Sequence, residues 1–128
     1  MPKTTQLTLT LQSKPGVLAK ISRTLADAGV NIVALSAAEA AGRGKIRMIA
    51  SDPARAKEAL AAAKLRASEE PAIVLTLDNR PGTLAGISEK LAGAKINIKS
   101  AYATASGPGT VTLVLTVSNA DKAQALLG

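Results

Sequence analysis

Two short stretches of the chain carry residue types suited to holding a small charged molecule. Ser13-Lys14-Pro15-Gly16-Val17-Leu18 and Asn79-Arg80-Pro81-Gly82-Thr83-Leu84 each place a Pro-Gly turn directly ahead of an apolar helical pattern. Proline fits the first turn of a helix, which sets Lys14 and Arg80 at the N-cap, and neither side chain has an oxygen to accept the orphan N–H groups there. A helix start left open in this way favours a carboxylate, and the glycine permits it to approach the backbone closely. Asn31 and Asn97 follow the two helical patterns, and each amide offers both a donor and an acceptor, the combination that holds an ammonium and a carboxylate. Asp78 and Asn79 supply acceptors for an ammonium group where the first loop has Gln12 and Ser13, so the second loop is the stronger candidate.

The inventory excludes most other chemistry. Among 128 residues there is no His, Cys, Phe or Trp, which removes Cys/His metal sites, thiol nucleophiles and every triad that needs an imidazole. Asp27, Asp52, Glu58, Glu89 and Asp121 fall on helices or caps and form no acid/base pair. No catalytic residue, metal ligand or cofactor is therefore expected. The formal charge is +7, but the basic residues are spread singly, with local pairing only around Arg43 and Lys45. Tyr102, the one aromatic residue, makes no base-stacking platform, so nucleic acid is not an expected partner. The first residues lack a continuous apolar core and no long apolar run follows, so neither a leader nor a membrane span is expected and the cytoplasm is the default compartment.

The elements that position the loops are read from an internal repeat. At a constant offset of 66 residues, Pro15/Pro81, Gly16/Gly82, Leu18/Leu84, Ile21/Ile87, Leu25/Leu91, Asn31/Asn97, Ile32/Ile98 and Leu60/Leu126 coincide. Leu7-Leu9-Leu11 and Ile73-Leu75-Leu77 alternate with polar or small residues, the period of a half-buried strand. Leu18, Ile21 and Leu25, with Leu84, Ile87 and Leu91, follow at helical spacing. Strands are expected over 30–37 and 96–103, then over 46–50 and 111–117, after glycine-bearing turns. Asp52-Pro53 and Asn119 open helices over 54–64 and 120–127. With a short strand at 65–69, unit one reads βαββαβ, an α+β ferredoxin-like unit with helices on one face of an antiparallel sheet. Unit two stops before its last strand. The division expected is 1–69 and 70–128, joined near Ser68-Glu69-Glu70-Pro71. The missing strand exposes an edge, which predicts a homodimer.

Lys14-Pro15-Gly16-Val17-Leu18 with Ala28-Gly29-Val30-Asn31-Ile32, and Arg80-Pro81-Gly82-Thr83-Leu84 with Ala94-Lys95-Ile96-Asn97-Ile98, resemble the paired signatures of ACT domains. These are small amino-acid-binding regulatory modules, and the resemblance extends over essentially the whole chain, as in stand-alone tandem ACT proteins. It departs from the family pattern at Lys95, where a glycine is usual, and at Gln12-Ser13. The resemblance implies a non-catalytic sensor that binds an amino acid at the interface of its two ACT domains. Ser13 to Leu18 would face Asn97-Ile98, and Asn79 to Leu84, with Asp78 as a further acceptor, would face Asn31-Ile32. It also admits a regulatory subunit of a separate amino-acid-pathway enzyme. An RNA-binding reading, suggested by the shared βαββαβ order and the basic charge, lacks the sheet aromatics that such modules use.

Overall fold

The computed structural model describes residues 3–127, which divide into two compact units: residues 5–70, and residues 71–127 together with residues 3–4. The N-terminal unit is built from β1 (Lys3–Gln12), α1 (Val17–Asp27), β2 (Ile32–Ala40), β3 (Arg43–Ala50) and α2 (Pro53–Ala62). Its strands are antiparallel in the order β2-β3-β1. The register sets Leu7 opposite Met48 and Leu9 opposite Ile46. These side chains share one face and bury against Ile21 and Leu25 of α1 and Ala56 and Leu60 of α2. A slip of one residue would turn the whole apolar set to the other face, so burial of the leucines determines the pairing.

The C-terminal unit repeats the plan with β4 (Ser68–Asp78), α3 (Thr83–Gly93), β5 (Ile98–Gly107), β6 (Thr110–Val117) and α4 (Ala120–Leu127), its strands in the order β4-β6-β5. Ile73, Leu75, Leu113 and Leu115 bury against Leu91 of α3 and Ala123 of α4. At the boundaries, Ser68 Oγ donates to the Thr8 carbonyl at 3.3 Å within the N-terminal unit, and Lys3 Nζ meets Asp121 Oδ1 at 2.6 Å within the C-terminal one. The fold is α+β with antiparallel strands and helices packed on one face of each unit, as the alternating patterns require.

Several boundaries differ from expectation. Residues 65–67 are not strand; the strand begins at Ser68 and runs through Pro71 to Asp78. The β4–β6 ladder starts only at Ile73, so Pro71 takes no bond from that ladder. The helices start later than the prolines suggest: α1 begins at Val17 and α3 at Thr83, with Gly16 and Gly82 as N-caps in place of Lys14 and Arg80. Lys95, the departure from the glycine pattern, sits at φ 60 directly after the α3 C-cap, as Gly29 does at φ 73 after α1. In both places the next N–H returns to the helix, Ile96 to the Leu91 carbonyl and Val30 to the Leu25 carbonyl, each at 2.9 Å. The left-handed stop is kept without the glycine. Among the described residues, no helix is long and apolar enough to cross a membrane.

Leu25 and Leu91 are fully buried at matching positions. Leu25→Ala and Leu91→Ala should each lower the free energy of unfolding by about 2–5 kcal/mol in urea denaturation. A loss below about 1 kcal/mol in either variant would contradict the assignment of these clusters as the cores.

Candidate functional site

The loop between first strand and first helix has the same construction in both units. At its start the Ser13 N–H donates to the Gly42 carbonyl and the Asn79 N–H to the Gly109 carbonyl, both at 2.9 Å, which ties the loop to the neighbouring hairpin turn. Pro15 and Pro81 then shape a turn that ends on a left-handed glycine, Gly16 at φ 90 and Gly82 at φ 91. A glycine has no side chain to cap with, and neither helix has an acidic residue in its first turn. The first amides, Val17 and Thr83, reach back to the Lys14 and Arg80 carbonyls at only 3.4 Å, at the weak end of hydrogen bonding. The next two, Leu18 and Ala19 in one unit and Leu84 and Ala85 in the other, have no backbone acceptor among the described residues. Uncapped amides of this kind, at the positive end of the helix dipole, suit a carboxylate. A Cβ built on Gly16 or Gly82 would meet nothing within 4 Å, so the space in front of each helix is open.

Each loop borders an open groove within its own unit. In the N-terminal unit a groove of about 230 Å³ runs between Ser13, Lys14, Val17 and Leu18 on one side and Ala37 to Glu39 of β2 on the other. In the C-terminal unit one of about 460 Å³ is lined by Asp78, Arg80, Gly82 and Thr83 of the loop with Gly86 and Lys90 of α3. Leu18 and Leu84 are 41% and 56% exposed, at matching positions on the first helical turn, although leucine normally buries. Asp78 and Arg80 approach at 3.8 Å and are largely exposed, a loose pair that leaves the carboxylate able to accept from an ammonium group.

Asn31 and Asn97 stand elsewhere. Asn31 exchanges two bonds with Ser51: its N–H donates to Ser51 Oγ at 2.9 Å, and its carbonyl accepts from the Ser51 N–H at 2.8 Å. Asn97 does the same with Ser118, at 3.0 and 2.9 Å. The two side-chain amides take part in no hydrogen bond among the described residues, and both asparagines are exposed. In the N-terminal unit the pairing Gln6–Ile49 lies near the asparagine and Gln12–Arg43 near the loop. Six residues of strand separate the two ends, about 20 Å. The structure thus joins Ser13 to Leu18 in one cluster and Asp78 to Leu84 in another, and sets Asn31-Ile32 and Asn97-Ile98 apart from the loop of their own unit.

Ser51 and Ser118, the groove residues Ala37 to Glu39, and Lys90 were not anticipated. The serines were legible in the repeat, each standing just after the last strand of its unit and two residues or fewer before a helix. The groove residues carry no sequence signal, because a hairpin brings them to the loop. Among the described residues, no group of three or more acidic side chains is placed to hold a metal ion.

The family model for an ACT domain pair matches residues 3–127. Among solved structures, a protein from Bacteroides thetaiotaomicron superposes with a TM-score of 0.90 at 30% identity, covering 98% of this chain and 86% of that one. The ligand-free regulatory subunit of aspartate kinase from Thermus thermophilus gives 0.73 at 19% identity, covering 96% and 87%. The corresponding subunit from Thermus flavus gives 0.67 at 17%, covering 96% and 87%. These last two are likenesses of fold. A comparison with curated protein sequences found no match.

The asparagine side chains support nothing in the fold, whereas the serines bracket the backbone. Asn31→Ala and Asn97→Ala should each change stability by less than about 0.5 kcal/mol. Ser51→Ala should cost about 1 kcal/mol through the unpaired Asn31 N–H. Thermal denaturation followed by calorimetry separates the two cases, and an asparagine variant as damaging as Ser51→Ala would contradict this division of roles.

Proposed function

This chain belongs to the ACT domain family, as an ACT domain pair, and from that membership we propose that it is a non-catalytic sensor of amino acids. The observation that carries the reading is the duplicated helix N-terminus, uncapped and preceded by a left-handed glycine, in both units. An amino acid's α-carboxylate accepts from the free amides behind Gly16 or Gly82. Lys14 or Arg80 stands beside it, and Asp78 with Asn79 supplies acceptors for the α-ammonium group at the second loop. The exposed Leu18 and Leu84 meet the ligand's carbon skeleton.

Within one unit the loop and the asparagine are too far apart for one small ligand to touch both. A site using Ser13 to Leu18 with Asn97-Ile98, or Asp78 to Leu84 with Asn31-Ile32, therefore takes its halves from two ACT units. Such a site couples ligand to association, and we propose that the protein works as a homodimer whose packing responds to the amino acid. The alternative is a regulatory subunit of a separate enzyme of amino-acid metabolism. The fold shared with aspartate kinase regulatory subunits supports this alternative.

A thermal-shift panel of the twenty amino acids tests the reading. A ligand present at 100 times its Kd should add about 2.7 kcal/mol to the folded state, and no response to any amino acid would refute it. With the responding amino acid, Asn31→Ala should remove one or two hydrogen bonds to a charged group, worth about 1–3 kcal/mol, and weaken binding roughly 5- to 150-fold in calorimetric titration. Affinity unchanged in folded Asn31→Ala and Asn97→Ala would remove the asparagines from the site.

A further inference from the structure

We propose that the face of the N-terminal unit's strands turned away from α1 and α2 binds the phosphate backbone of a single-stranded nucleic acid. The β1–β3 register puts Leu7, Leu9, Ile46 and Met48 on the helix side, so the alternate residues Arg43, Lys45 and Arg47 project from the opposite side. Arg43 pairs with Gln12 and Ala40, Lys45 with Thr10 and Ala38, and Arg47 with Thr8 and Ser36. Residues two apart on an antiparallel strand are about 7 Å apart, so the three cations form a straight, evenly spaced row. That interval is comparable with the separation of successive phosphates along an extended strand. The hydroxyl and amide neighbours on β1 are the side chains that commonly bond phosphate oxygens.

None of the three cations has an ion-pair partner among the described residues. Glu39 pairs with Gly44 in the register and so belongs to the helix side. Glu69 pairs with Lys57 of α2, so strand alternation gives the adjacent Glu70, at the β4 margin, to the same face as the cations. The balance is three cations to one carboxylate.

The duplication supplies an internal comparison. In the C-terminal unit the same register positions are Thr110 opposite Asp78, Thr112 opposite Thr76, and Val114 opposite Val74. That unit forms the same strands without a single cation in the row. Strand pairing does not need the exposed Arg43 and Lys45, whereas Arg47 is half-buried and its counterpart Val114 is buried. A protein partner would favour a more apolar and aromatic surface, poor in lysine. A polar face with three cations to one carboxylate is the composition of nucleic-acid interfaces. A single tyrosine makes no base-stacking platform, but this has no bearing on backbone contacts, which are sequence-independent and sensitive to salt.

Fluorescence anisotropy of a labelled oligothymidylate with the full chain tests this. Three phosphate contacts predict a log–log salt slope of about −2, hence about a 20-fold loss of affinity between about 50 and 200 mM salt. The combined variant Arg43→Gln, Lys45→Gln, Arg47→Gln should bring the slope near zero. A second variant, Arg43→Gln with Lys45→Gln, leaves the half-buried Arg47 in place and should retain a slope of about −0.7. A control with the same change in net charge, Lys20→Gln, Arg55→Gln and Arg66→Gln, should keep the wild-type slope. Equal losses in the face variant and the control would show a response to net charge alone and overturn the proposal. So would no binding by the wild-type chain, tighter binding of polyglutamate than of the oligonucleotide, or a wild-type dimer that the face variant dissociates.

Discussion

The two-residue alternation of the strands is the constraint on which each unit depends. Leu7 and Leu9 in one unit, and Ile73 and Leu75 in the other, must all reach the same side to bury against the helices. With that side occupied, the remaining positions of the same strands face away from the unit's own helices, and the loops at the strand ends are left at the rim. Pairing, helix placement and the position of every charged side chain on a strand follow from one requirement. A register slip would exchange the apolar core for Thr8, Thr10 and the three cations of β3, an exchange that burial energies do not allow.

Duplication separates what the fold requires from what one copy has added. Both units keep the left-handed glycine before the helix, the uncapped first turn and the asparagine–serine exchange. Capping is worth about 1 kcal/mol, as at Asp52, whose carboxylate accepts from the Arg55 N–H at 3.1 Å at the start of α2. The same chain thus caps one helix by a side chain and twice omits the cap, in front of α1 and α3. Other features are not shared: the groove of the C-terminal unit has Asp78, Arg80 and Lys90 on its walls, and only the N-terminal unit has the cation row.

The repeat, both loops and the element order, apart from the separate short strand expected at 65–69, were legible in the sequence because they depend on local chemistry: strand alternation, helical spacing and turn residues. The helix starts were misplaced because proline is acceptable at the first helical position and also in the preceding turn. Only the φ of Gly16 and Gly82 decides between them. Pro71 suggested a break where the strand continues, since its effect depends on where the partner ladder begins. The charges around Arg43 looked scattered in one dimension, and only the register aligns them. Likewise the distance from each loop to the asparagine of its unit comes from the return of α1 or α3 along the strands, which no local pattern encodes.

In the proposed function the free amides behind Gly16 and Gly82 receive an amino acid's carboxylate. Its most direct test is a two-dimensional 1H–15N NMR titration of the full chain with the amino acid that stabilises it. The expected result is saturable shifts of the Leu18 and Ala19 amides, the Leu84 and Ala85 amides, or both sets, fitting one dissociation constant per site. Binding that leaves all four amides unmoved while perturbing residues elsewhere would contradict it.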